Sequence, residues 1–457
     1  METERLTQFR SQEASLWQSA VDEVVASSGG SASAAASIEG GPARIVRPRQ
    51  DDRLVAVGND LAAVLAGEAQ MPAVVPPGPA VGILDSVKFC SVTALRLARA
   101  RVEAFFSRDD TELKRLEEEL GAPFGSCDRK WLDVVATYVR HRIAAGSIPY
   151  RRHTQPDDFV IDGRLPDRAR VILLADWGTG QPGAAAMLER IAARDPDAVI
   201  HLGDVYYSGT EYEFRNYFWA IWQAKLRLPA MAWGSKLEVP AGRPATFTLS
   251  GNHDLYAGGV PYYQLLDMLG QPASYFCLRN ANWQFVAVDT GLHDANPLAR
   301  GSVTELEPTE AEWLKRRVAT AGSRKTILLS HHQLFSAYEN IGTGFVNQPL
   351  LEQVRDVLPQ LSVWFWGHEH NLVVYGRHLG VLARCIGHAA FPVAAEEVHR
   401  QNTDIPVEDV QLPLDQTGGL LQHGYVVLDL DGAAAHATYI QYDSVAGQEK
   451  ATFQESY

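Results

Sequence analysis

The stretch VILLADWGTGQPGAAAMLERIAARDPDAVIHLGD, residues 171–204, reads as strand, helix, strand. VILLA (171–175) and AVIHL (198–202) are short, apolar and rich in branched residues, without strict alternation. That pattern marks strands buried on both faces. GAAAMLERIAAR (183–194) supplies the helix between them. Runs of the same kind recur downstream as TFTLS (246–250), WQFVAVD (283–289), TILLS (326–330) and SVWFW (362–366). TEAEWLKRRVATA (309–321) opens on Thr309 and Glu312 at capping-box spacing. PLLEQVRDVL (349–358) aligns Leu350, Val354 and Leu358 before Pro359 stops the helix. Beyond residue 370 the chain reads as meandering strands. The expectation is an α/β layered architecture with both parallel and antiparallel pairing.

Upstream the texture changes. SSGGSASAAAS (27–37) is low-complexity and reads as flexible, and MPAVVPPGPA (71–80) is a Pro-rich connector. Residues 83–120 read as helical with a break at SRDD, and WLDVVATYVRHRIAAG (131–146) as an amphipathic helix closed by Gly146 and Pro149. The polar, turn-rich segment 151–170 holds the boundary. The expected organisation is a mainly helical N-terminal domain over 1–165, with flexible segments, and a second domain over 166–457.

A chain of 457 residues exceeds the usual single core. Its net charge of -14 argues against broad nucleic-acid binding, since phosphate neutralisation needs a basic surface. A small anionic substrate stays compatible, because bound cations reverse the potential locally. Cys90, Cys127, Cys277 and Cys385 form no CxxC pair and read as buried free thiols in a reducing compartment. The start METERLTQFRSQEASLW has no apolar signal core, and no apolar run is long enough to span a membrane. A cytoplasmic protein with no membrane partner is expected; nothing in the sequence defines its oligomeric state.

Five of the six runs end in polar residues of one kind. VILLA leads to Asp176, AVIHLG to Asp204, and TFTLSG to Asn252, His253 and Asp254. TILLS leads to His331 and SVWFWG to His368, Glu369 and His370. The carboxyl ends of strands in an open α/β sheet share the edge where ligands bind. One such histidine is ordinarily a hydrogen-bonded loop residue; five strand ends in series are not. Hard oxygen ligands with imidazole and no cysteine suit Fe, Mn or Zn at an open catalytic site, not a closed structural zinc.

On the motifs ADWG, GDVYY, GNHD, SHH and GHEH, in this order over roughly 170–445, the chain resembles the calcineurin-like metallophosphoesterase superfamily. The resemblance implies a layered metallophosphoesterase-type β-sandwich flanked by helices. It also implies two metal ions, the first held by Asp176 and His370, with Asp204 bridging. Asn252, His331 and His368 would hold the second. In SHHQ, Gln333 stands where proline is common, and counting from it makes His331 the ligand and His332 its neighbour. Most of the superfamily carries Asp-x-His at the first motif, whereas this chain has Gly178 there. Purple acid phosphatases show the same loss and compensate with a tyrosine in GDxxY, which falls on Tyr207. The alternative is that Tyr206 and Tyr207 pack at the strand end. A phenolate ligand favours iron at the first site; Fe, Mn or Zn suits the second.

The expected function is metal-dependent hydrolysis of a small phosphorylated substrate by a hydroxide bound at the dinuclear centre, a phosphomonoester ahead of a diester. A non-catalytic binding protein that retains the fold is the alternative of another class. By resemblance, His253 would be the catalytic acid. Asp254 either orients His253 or caps a turn. His201 reads as a core residue, His293 and Asp294 as loop or rim residues, and Gly387-His388 as a possible approach to the site. Phe214, Phe218 and Trp222 read as core at helical spacing.

Overall fold

The computed structural model describes residues 11–29, 52–67, 69–73, 83–144, 148–236, 244–295, 301–408, 414 and 419–457. They form two compact units, 1–147 with 256–258, and 148–255 with 259–457. The expected closure at Gly146, residues 30–37 of the low-complexity stretch and 74–80 of the connector lie outside the described residues.

The first unit is helical: α1 (Gln12–Gly29), α2 (Asp52–Leu65), α3 (Ile83–Ser107), α4 (Thr111–Phe124) and α5 (Arg129–Ala144). Ser27 to Gly29, read above as flexible, are the last residues of α1. The break between α3 and α4 falls at SRDD, where Arg108 turns left-handed (φ 59°) and Asp109 accepts from the Thr111 amide. Trp17, Leu95, Val134 and Tyr138 are buried in this unit.

The cysteine reading needs correction. Cys90 and Cys127 form a disulfide, and only Cys277 and Cys385 are free and buried. The pair has no motif because the packing of α3 with α4 and α5, not local spacing, brings residues 37 apart together. The inference of a reducing compartment from four thiols loses its basis with it. Closing a loop of that length stabilises the unit by roughly 3–4 kcal/mol on the chain-entropy account. Protein purified without reductant and then denatured should titrate two thiols, and four after reduction. Four before reduction would restore the all-thiol reading.

Among its described residues the second unit carries thirteen strands: β1 (Val160–Ile161), β2 (Arg168–Leu174), β3 (Ala198–His201), β4 (Ala245–Thr248), β5 (Phe276–Arg279), β6 (Trp283–Ala287), β7 (Lys325–Leu329), β8 (Leu361–Trp366), β9 (Leu372–Val374), β10 (Ala383–Ile386), β11 (His423–Asp431), β12 (Ala434–Asp443) and β13 (Gln448–Ser456). One sheet has the order β1-β5-β6-β7-β8-β10-β9 and the other β13-β12-β11-β2-β3-β4. Within them β2, β3 and β4 are parallel, as are β6, β7 and β8. The six apolar runs are these six strands.

The sheets meet face to face. Val171 and Leu173 of β2, Phe285 of β6, Ile327 of β7, Phe365 of β8 and Val426 of β11 share one buried cluster. Each such side chain contributes about 1.5–3 kcal/mol by leaving water. Helices cover the outer faces. α6 (Pro182–Ala193), α8 (Ala220–Leu226) and α9 (Val260–Leu269) pack on the second sheet. Before α8 come α7 (Glu211–Glu213) and a π turn (Phe214–Trp219). On the first sheet lie α10 (Pro308–Ala319) and α11 (Gln348–Val354). Phe218 and Trp222 stack at 4.5 Å inside the core.

The start of α10 differs from the expected capping box. Its cap is Glu307, whose carboxylate accepts from the Thr309 amide at 2.8 Å. Pro308 enforces this: it fits the first helical position and keeps the residue before it out of the helix. Among the described residues no helix is long and apolar enough to cross a membrane.

Candidate metal centre

Two sets of parallel strands deliver their carboxyl ends to one edge. From the second sheet come Asp176 after β2, Asp204 after β3 and Asn252 after β4; from the first come His331 after β7, and His368 and His370 after β8. Bonds across the sandwich lock the two groups together. His331 Nδ1 contacts the Leu202 carbonyl at 2.9 Å, and the His368 amide donates to Asp176 Oδ2 at 3.0 Å. Asp176, Asp204 and His368 all adopt left-handed backbone, with φ of 58°, 76° and 67°. Asp and His tolerate that region better than most residues.

In one half of the cluster, ligand atoms of Asp176, Asp204 and His370 lie within 4.8 Å of one another. A tyrosine hydroxyl that joins them is that of Tyr206, the residue before the expected Tyr207. It stands 2.8 Å from Asp176 Oδ1, 3.1 Å from Asp204 Oδ2 and 2.7 Å from His370 Nε2. Tyr207 instead presents its carbonyl to His253 Nδ1 at 2.6 Å. The physical reason is the turn after β3: the Tyr206 amide is tied to the Gly178 carbonyl at 3.0 Å, which a count along the sequence does not see. Phe391 backs this half, stacked on His370 at 4.3 Å and 4.5 Å from the Tyr206 ring. Gly178 is more than a lost ligand. A Cβ there would lie 2.7 Å from the Val205 Cα and 2.8 Å from the Asp204 carbonyl, so the close approach of the two loops leaves no room for a side chain.

In the other half, Asn252 Oδ1 is 3.2 Å from His331 Nε2 and 3.1 Å from His368 Nδ1, and those two nitrogens are 3.3 Å apart. His368 Nε2 meets the Ser302 hydroxyl at 2.9 Å, and with His331 Nδ1 on a carbonyl the inner nitrogens are the ones left for a metal. His332 also falls within reach of this group. Both of its nitrogens are engaged elsewhere, Nδ1 with Thr290 Oγ1 at 3.0 Å and Nε2 with Asp294 Oδ2 at 3.1 Å.

Asp204 joins the halves, since its Oδ2 is also 3.4 Å from His331 Nε2. The donor set fits a pair of cations. Lone-pair atoms face one another across about 3 Å in both halves, an arrangement only a proton or a cation relieves. Burial opposes protonation of His331, yet the Asp204 carboxylate outweighs it and holds the pKa up to about 9. Burial, then Asp176 and Asp204, push the Tyr206 phenol well up, so positive charge is what these groups call for.

His253 and Asp254 follow Asn252 in a short 3₁₀ turn. The His253 amide donates to Asp204 Oδ1 at 3.1 Å. Asp254 does not bond His253 through its carboxylate in the manner expected of an orienting partner. Its oxygens accept from the amides of Asp204 (2.9 Å), Val205 (2.8 Å) and Gly251 (2.6 Å). It clamps two ligand-bearing loops, although burial and then Asp204 push its pKa up to about 8. His201 is a core residue, 3.0 Å from Thr248 Oγ1, with burial pushing its pKa down to about 3. His388 is buried with neither ring nitrogen hydrogen-bonded, while Gly387 beside it approaches Asp176.

The sequence reading missed Ser302, Thr290 and Phe391; it named Asp294 as a loop or rim residue and Tyr206 as packing at the strand end. A family model described as calcineurin-like phosphoesterase matches residues 169–372. No curated protein matches the chain. Among solved structures, a purple acid phosphatase from yellow lupin (Lupinus luteus) seeds is similar at 17% identity and a TM-score of 0.41, over 63% of this chain and 53% of that one. This chain thus spans about half the length of the lupin protein. A dimetal phosphatase from Danio rerio is similar at 12% identity and a TM-score of 0.39, over 62% of this chain and 99% of that one. Vps29 from Entamoeba histolytica follows at 12% identity and a TM-score of 0.29, over 63% and 99%. The segment matched by the calcineurin-like phosphoesterase model, residues 169–372, contains Asp176, Asp204, Asn252, His331, His368 and His370.

Proposed function

We propose that the protein hydrolyses a small phosphomonoester at a metal pair held by Asp176, Asp204, Asn252, His331, His368 and His370, with Tyr206 at the first ion. The observation that carries this is the convergence of these side chains from five strand ends onto one volume. When bound, such a pair supplies an acidic water and positive charge toward the phosphoryl oxygens. The chain's own groups do the rest. Asp204 lies between the two halves and holds them in register. His253, doubly protonated with its Nδ1 proton directed to the Tyr207 carbonyl, gives its Nε2 proton to the departing alcohol oxygen. As water oxygen bonds to phosphorus, the ester oxygen leaves with that proton. The monoester reading rests on the tyrosine hydroxyl at the first half, as in the ligand pattern of purple acid phosphatases. Iron is the proposed first metal, with Fe, Mn or Zn at the second.

The test compares p-nitrophenyl phosphate with its bis ester. The parent should turn over the monoester faster. Asn252→Ala should lose about 10²–10³-fold and His253→Ala about 10²–10⁴-fold. Equal rates in all three would place the activity elsewhere, and a faster diester would make the protein a phosphodiesterase. Iron-loaded protein should show a visible phenolate band that Tyr206→Phe abolishes. A band that survives Tyr206→Phe and vanishes in Tyr207→Phe would return ligation to Tyr207.

A further inference from the structure

Three imidazoles crowd the second half of the cluster: His331, His332 and His368. Distance alone would make His332 a third ligand; its hydrogen bonds rule that out. The Asp294 carboxylate can only accept, so Nε2 carries the ring proton toward its Oδ2 at 3.1 Å. Nδ1 is then an acceptor for the Thr290 hydroxyl at 3.0 Å, whose oxygen also accepts from the His332 amide at 2.9 Å. Each donor and acceptor of a neutral imidazole is used, and neither nitrogen has a lone pair left for a metal.

What His332 offers the cluster is its ring. It lies 4.4 Å from the His368 ring at a tilt of 37°, and 4.9 Å from the His331 ring at 86°. The side chain is fully buried and anchored at both ring nitrogens, so it cannot rotate without leaving a buried polar group unpaired. A fixed wedge of this kind dictates where the two neighbouring imidazoles stand. Its anchors come from the loop after β6, the one apolar run that ended in no motif. Thr290 is in turn tied down, its carbonyl accepting from the Thr304 hydroxyl at 2.7 Å.

We propose that His332, anchored by Asp294 and Thr290, is a positioning residue that sets the geometry of His331 and His368 and hence the affinity of the second metal position. This rests on the two-metal reading of the site. The sixth strand end therefore serves the same centre as the other five, through a ring and not through a ligand.

Calorimetric titration of the metal-stripped full-length protein with Zn(II) tests it. The parent should take up two equivalents. Asp294→Ala should weaken the second by about 10–100-fold and leave the first unchanged. Asp294→Asn, which still offers an oxygen to His332 Nε2, should restore most of that affinity. His331→Ala should remove the second event altogether. Thr290→Val repeats the test from the other end of the ring should Asp294→Ala fail to fold. If the parent binds no metal, the two-metal reading fails before this one. A parent that binds two, with Asp294→Ala or Thr290→Val binding both as tightly, overturns the positioning role. Complete loss of the second event in His332→Phe, matching His331→Ala, would make His332 a ligand and overturn it as well.

Discussion

Asp204→Asn should lower the hydrolysis rate by about 10³-fold or more and leave the protein unable to hold two metal ions. Asp204 is the carboxylate that touches both halves of the cluster. Its Oδ2 is 3.1 Å from the Tyr206 hydroxyl and 3.4 Å from His331 Nε2, and its Oδ1 accepts the His253 amide. Burial opposes its ionisation, but His331 and His253 outweigh burial and hold its pKa well below the usual carboxylate range. An amide is neutral and would turn an N–H toward one of these partners. Asparagine is nevertheless the informative substitution. It matches the shape of aspartate and tolerates the left-handed backbone at this position, so the fold should persist. Metal analysis and monoester turnover on the same preparation check the expectation. Two bound ions and a rate within tenfold of the parent would move the centre away from Asp204.

How far the sequence carried this depends on the range of the forces involved. Strands such as VILLA and SVWFW declare themselves because burial on both faces leaves an unbroken apolar run. Asp204, Asn252, His368 and His370 were legible because strand ends impose a common edge, which needs no knowledge of turns. The turn itself was not legible. Tyr206 and Tyr207 differ by one residue, and the turn that brings the Tyr206 hydroxyl to Asp176 is tied by the Tyr206 amide to the Gly178 carbonyl. Gly178 looked like a missing histidine, whereas the packing of two loops forbids any side chain there. Asp294 and Thr290 reach His332 across about 40 residues of chain, at distances set wholly by tertiary structure. The Cys90–Cys127 pair is hidden for the same reason. Glu307 as a helix cap was obscured by a plausible Thr309 three residues before Glu312, and only Pro308 decides between them.

Asp254→Ala should cost the protein about 3 kcal/mol or more of stability, because three buried amide protons lose their acceptor at about 1–3 kcal/mol each. For a unit of this size that is a fall in melting temperature on the order of 10 °C. The amides belong to Gly251, Asp204 and Val205, so the loss falls on the two loops that carry Asn252 and Asp204. Asp254→Asn keeps one oxygen and turns an N–H₂ toward the remaining amides, and should be nearly as harmful. An orienting partner of His253 behaves differently: its removal lowers kcat and leaves melting unchanged. The geometry opposes that role, since the nitrogen such a partner would hold, His253 Nδ1, is on the Tyr207 carbonyl at 2.6 Å. Melting curves and kcat on both variants separate the two. A kcat lowered a hundredfold at constant melting temperature would restore Asp254 to the catalytic set. A large loss of stability, with metal affinity falling in step, would show that the clamp on the loops is what this carboxylate provides.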